Sequence, residues 1–172
     1  MPTMWGRASS TKDSVTVSAF DVEHGALIKP SFGYKIEYDG KTVVISGDTT
    51  RDERVARQAA GADLLIHEVA DIDPALMEKF PRFREITDHH TTPEQAGEIF
   101  SMARPKLAAY SHIIALKPGQ ALAEDQDTST IIARTRTAYD GPLVAGTDLM
   151  SLVIGDDDVT VRDASGAAVF TD

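Results

Sequence analysis

Apolar and polar positions alternate along Val15–Val22, with β-branched residues prominent, a pattern that predicts a half-buried strand. Two further apolar runs, Gly33–Tyr38 and Thr42–Ser46, flank Asp39-Gly40. Asp-Gly tolerates positive φ at both central turn positions, so these runs read as an antiparallel hairpin that ends in Gly47-Asp48. The spacing then changes to a helical one from about Asp52 to Ala59, stopped by Gly61, before the short apolar strand "DLLIHE" that closes in His67-Glu68. A less regular segment carries Pro74 and Pro81. After it, Thr92 is placed as a cap, Pro93 as the first helical residue and Glu94-Gln95 as the first turn of a helix through "TPEQAGEIFSMA". "KLAAYSH", Lys106 to His112, reads as its partner strand; a long loop, a helix near Thr128–Ala138 and the strands "PLVAG", "LMSLVIG" and "VTVRD" follow. Strands alternating with helices predict an α/β layered fold with a mixed sheet.

At 172 residues the chain fits one domain with a substantial core. Residues 1–13 are polar and aperiodic, a loosely ordered lead-in, so the domain is expected over 14–172. No window has the apolar run of a secretory signal or a membrane span, which gives the expectation of a soluble, cytoplasmic protein. The net charge of −10 repels polyanions, and no nucleic-acid partner is expected from it. The absence of cysteine removes thiolate sites, so any metal must be held by imidazole and carboxylate.

Ligands of layered α/β proteins bind outside the carboxyl ends of strands. His24 follows the first strand, Asp48 follows Thr42–Ser46, His67-Glu68 closes Asp63–Ile66, His112 closes Lys106–Tyr110, and His90 sits on the loop entering the Thr92 helix. The chain has five histidines, and nearly all fall where a site would form. A lone histidine at a strand end is more often structural than a ligand; the argument here rests on several converging beside a Gly-Asp-Thr turn.

The strings "VSAFDVEHG", "PSFGYKIEYDGKTVVISGDT", "GADLLIHEVA", "HHTTPEQAGEIF" and "KLAAYSHI", in this order across Val15 to Gly155, resemble the second half of the metallo-β-lactamase superfamily, in its ribonuclease Z and arylsulfatase-like branch. The resemblance implies the C-terminal half of a layered αββα fold. It implies His24 as a ligand to a first zinc, Asp48 as a carboxylate bridging two zincs and His112 as a ligand to the second. His90 corresponds to the histidine near the scissile group, and Glu68 to the carboxylate that orients it. His67 reads as structural, and His89 as a neighbour of the site.

The superfamily's H-x-H-x-D-H string is absent from the sequence. A half-fold would leave one apolar sheet face uncovered, and a homodimer or a complementing chain is expected to cover it. The family's tRNA-gripping arm would fall between the paired strands, where this chain has only the tight "EYDGKT" turn. That turn and the acidic charge lead to the expectation of a metal-dependent hydrolase of a small-molecule ester, such as a sulfate or phosphate ester or a lactone, incomplete as an isolated chain. A non-catalytic binding or structural module is the alternative, and a tRNA 3′-processing endonuclease a less favoured one.

Overall fold

A computed structural model describes residues 9–12, 14–119 and 127–169. Seven strands form one mixed sheet in the order β1-β2-β3-β4-β5-β6-β7: Ser9–Lys12, Val15–Asp21, Phe32–Tyr38, Lys41–Ile45, Leu64–Ile72, Leu107–Leu116 and Leu143–Ala145. The first four pair antiparallel and the remainder parallel. Within the segment read as a lead-in, Ser9–Lys12 forms the edge strand β1. The β3–β4 hairpin turns at Asp39 and Gly40, both with positive φ (46° and 73°), as the Asp-Gly pair requires.

Three helices supply the cover on one face: α1 (Glu53–Gln58), α4 (Pro93–Ala103) and α5 (Ser129–Thr135). Their buried Val55, Ile99, Phe100 and Ile131 pack with Val44, Leu65, Ala108 and Tyr110 of the sheet. The α4 start carries the full capping box: Thr92 accepts from Gln95 N–H, and the Gln95 side chain accepts from Thr92 N–H at 3.1 Å.

The opposite face is covered in part, unlike the fully bare face expected from a half-fold. A three-stranded sheet, β8 (Ser151–Ile154), β9 (Val159–Arg162) and β10 (Ala168–Val169), lays Leu152, Ile154, Val159 and Val161 on Val43, Leu64, Ile66, Leu107 and Val144. Over β2 and β3, the pairs Val17–Ile36 and Ala19–Tyr34 share the same face, and Tyr34 and Tyr38 are exposed.

The segment read as irregular is helical. Pro74 occupies the first turn of α2 (Pro74–Lys79), where its missing N–H costs nothing, and Pro81 immediately precedes α3 (Arg82–His89). No residue of either helix is buried. Two strands also run past their expected ends, β5 to Ile72 and β6 to Leu116. Among the described residues, no helix is long and apolar enough to cross a membrane.

Candidate metal centre

The strand that should have ended at His112 continues because it carries a bulge. His67 pairs with Tyr110 and Val69 with Ile113, so Glu68 stands opposite two residues, Ser111 and His112. His112 takes φ +47°, the left-handed region that costs a non-glycine residue about 1–3 kcal/mol. The distortion turns its imidazole toward Asp48: His112 Nε2 lies 3.5 Å from Asp48 Oδ2. The candidate site residues Glu68 and His112 thus lie within strands, not at their ends.

Asp48 stands on the loop after β4. Gly47 before it has φ +64°, and a Cβ there would meet Phe32 O at 2.3 Å, so only glycine lets the chain turn this closely. Ser31 Oγ donates to Asp48 O at 3.1 Å. From the loop after β2, His24 Nε2 approaches the same Oδ2 at 3.9 Å. His24 Nδ1–H donates to His89 O at 2.8 Å, which fixes the ring and leaves Nε2 aimed at Asp48. The His89 ring packs edge-on to His24 at 5.9 Å and over Gly25, whose Cβ position would clash with it at 2.2 Å.

His90 lies between these groups, its ring centroid 4.9 Å from His24 and 5.6 Å from His112. Its Nδ1–H donates to Glu68 Oε2 at 3.2 Å, and this bond raises the His90 pKa above the ordinary histidine value. Glu68 is buried, and its other oxygen accepts from Thr91 N–H at 2.9 Å and Thr49 N–H at 3.4 Å. Thr91 Oγ1 donates to Thr49 O and Thr49 Oγ1 to Glu23 O, so the loops carrying His24, Asp48 and His90 are stitched through two threonines. A cleft of about 410 Å³, lined by Glu23, Lys29, Ser31 and Arg54 among others, opens beside this stitching.

His67 takes no part. It is fully buried against Phe100, its Nδ1–H donates to Glu68 O at 2.7 Å, its Nε2 has no partner among the described residues, and burial lowers its pKa. His24, Asp48, His90, Glu68 and His112 are therefore brought to one place, while His67 is packed away from it. Sequence reasoning missed the His89 carbonyl and the two threonines. A backbone carbonyl carries no residue-type signal, although "HHTT" did mark the segment. Among the described residues, no three His, Asp or Glu donors close round a single point.

The sequence profile of the Beta-lactamase superfamily domain matches residues 1–113. Ribonuclease Z of Mycolicibacterium gilvum is 34% identical over 149 residues, covering 85% of this chain and 47% of that protein. Ribonuclease Z of Mycobacterium tuberculosis H37Rv is 31% identical, covering 80% of this chain and 48% of that protein. This chain thus spans about half the length of the curated relatives it matches. Among solved structures, the metallo-β-lactamase fold protein YhfI of Bacillus subtilis aligns with a TM-score of 0.62 at 16% identity, over 81% of this chain and 50% of that one. The short form of human tRNase Z aligns at 0.53 and 24% identity, over 85% and 46%.

These relatives overturn the expectation of a protein without a nucleic-acid partner, since they are named for RNA hydrolysis. Net charge sums over the whole surface, whereas RNA is held by local groups, so −10 did not bear on the question. With the profile matching across most of its length and the fold matching that of YhfI, the chain belongs to the metallo-β-lactamase superfamily, and its sequence likeness lies with the ribonuclease Z branch.

Proposed function

We propose that this chain forms part of a metal-dependent ribonuclease acting on a phosphodiester of RNA, with tRNA the class to which its relatives' names point. The approach of His24 Nε2 and His112 Nε2 to one oxygen of Asp48, at 3.9 and 3.5 Å, carries this reading. Ligand atoms on a tetrahedral zinc with bonds of about 2.1 Å lie roughly 3.4 Å apart, so the His112–Asp48 pair at 3.5 Å has the spacing of two ligands of one zinc-type ion, a set that the described residues alone leave incomplete. His24 would serve one position, His112 a second, and Asp48 both. A bound zinc supplies a water acidic enough to be hydroxide near neutral pH, and stabilises charge on the phosphoryl oxygens.

The protein's own groups account for the rest of the chemistry. His89 O holds His24 in the tautomer with a free Nε2. Glu68 accepts from His90 Nδ1–H and so holds a proton on that nitrogen, a bond that raises the His90 pKa above the ordinary histidine value. A charged His90 beside the scissile group donates a proton to the departing oxygen, and Glu68 positions it for that transfer.

Zinc titration joined to cleavage of a labelled tRNA precursor tests the proposal. Wild-type protein should bind zinc, and Asp48→Ala should lose it. The precursor should be cut, and His90→Ala should reduce cutting by 10²–10⁴-fold, the usual range for a positioned proton donor. Cleavage of p-nitrophenyl sulfate without cleavage of RNA, or zinc binding unaffected by Asp48→Ala, would refute it.

A further inference from the structure

The α2–α3 excursion has a use that the metal centre does not explain. Its corner reads Lys79-Phe80-Pro81-Arg82-Phe83-Arg84, three cations and two aromatic residues with no acid, in a chain of net charge −10. All but Phe83, which is half-buried, are exposed. Elsewhere the lysines and arginines mostly hold carboxylates: Lys29 with Glu23, Arg51 with Glu98, Arg54 with Asp52, Lys106 with Asp63, and Arg134 with Glu94 and Asp71. Lys79, Arg82 and Arg84 have no carboxylate partner among the described residues.

Two of these cations lie on rings. Lys79 Nζ is 5.3 Å from the Phe80 centroid, and Arg82 Cζ lies 5.9 Å from Phe80 and 5.4 Å from Phe83. The two rings meet edge to face at 5.8 Å. Cations interleaved with aromatic rings, here the exposed Phe80 and the half-buried Phe83, form the usual platform for a nucleic-acid strand, with the charges on phosphates and a ring or guanidinium plane under a base. From this corner α3 runs straight to His89 and His90, and its eight residues span about 12 Å. A strand held at the corner therefore reaches the metal centre within a few nucleotides.

We infer that the Lys79–Arg84 corner is an RNA-backbone contact that delivers the substrate strand to His90, an inference that rests on the ribonuclease reading. It gives the chain a basic contact at a different place from the β3–β4 connection, which here is only the Asp39-Gly40 turn.

The test is fluorescence anisotropy of a dye-labelled tRNA precursor with the full 172-residue chain, from 50 to 200 mM KCl. The variants are the triple Lys79→Ala, Arg82→Ala, Arg84→Ala and, as a control on the small sheet, Arg162→Ala. Removing three cations from the phosphates of a single strand lowers the log–log salt slope by about 2, and tenfold or greater weakening of Kd should accompany it. Arg162→Ala should alter neither, and all proteins should share the wild-type melting curve. A triple variant with wild-type slope and affinity overturns the inference, as does an equal loss from Arg162→Ala. His90→Ala separates the two readings: it should keep RNA binding while losing cleavage. Intact cleavage and binding in the triple variant would remove the corner's role and leave the ribonuclease standing, whereas a wild-type chain that binds no RNA overturns both.

Discussion

Glu68 is the residue on which the site's geometry can be tested without any catalytic assay. Its buried carboxylate accepts from Thr91 N–H at 2.9 Å, from Thr49 N–H at 3.4 Å and from His90 Nδ1–H at 3.2 Å. Glu68→Ala leaves both backbone donors unpaired in a dry setting, at about 1–3 kcal/mol each, less for the longer bond. A loss of roughly 2–5 kcal/mol follows, or about 4–20 °C in Tm at some 2–4 °C per kcal/mol for a chain of this size. Glu68→Gln keeps an oxygen for Thr91 N–H and gives up only the charged acceptor for His90, so its cost should be about 1–2 kcal/mol. Urea denaturation followed by circular dichroism, in chelator, measures both. Imidazole resonances followed by NMR supply a second readout, because His90 should titrate at a lower pH in Glu68→Gln, having lost the bond that raises its pKa. Glu68→Ala within about 0.5 kcal/mol of wild type, Glu68→Gln costing more than Glu68→Ala, or an unmoved His90 titration would each refute the reasoning.

His67 and His90 push stability in opposite directions with pH. His67 is held neutral by burial, so the unfolded chain binds a proton that the folded chain refuses, and stability falls as pH drops below about 6.5, by up to roughly 1.4 kcal/mol per unit. His90 has its pKa raised by Glu68, so its contribution is complete below about 6.5 and is lost as pH rises through its folded value. Metal-free protein should therefore be most stable near pH 6.5; His67→Gln should flatten the acid limb and Glu68→Gln the alkaline one, and a flat profile between pH 5.5 and 8 would contradict both. His112→Gly relieves φ +47° and should add about 0.5–1 kcal/mol to metal-free stability while weakening zinc binding in a competition assay, so a loss on both measures would count against the assignment. In Gly97→Ala, the new Cβ falls 2.6 Å from Thr135 O and 3.1 Å from Ala138 Cβ, which should prise α4 from α5 at about 1–3 kcal/mol, readable as a lower urea midpoint.

Much of this arrangement was legible in the sequence because it depends on local chemistry. Asp39-Gly40 sets the hairpin, Thr92-Pro93-Gln95 sets the α4 start, and together they fix where Asp48 and His90 enter. Two prolines misled the reading of residues 73–91: proline stops a helix from within but suits its beginning, and Pro74 and Pro81 both stand at beginnings. The small sheet on the second face was legible as strands but not as cover, since packing of β8 and β9 on Leu64 and Leu107 is a contact between distant segments. The basic corner escaped notice because a whole-chain charge hides a short segment of the opposite sign.

The bulge in β6 separates what the fold needs from what the site needs. Ala108 and Tyr110 face the helices before it, and Ile113 and Ala115 face them after it, so the strand changes from even to odd positions without moving either core. One residue has in effect been spliced into a ladder that was complete without it. Excising Ser111 would heal the ladder: His112 would become an ordinary rung beside Glu68, Ile113 would keep its place, and the left-handed backbone would vanish. Such a shortened protein should fold at least as well as its parent and no longer present His112 to Asp48. At this one position, durability and chemistry are written in different residues and can be edited apart.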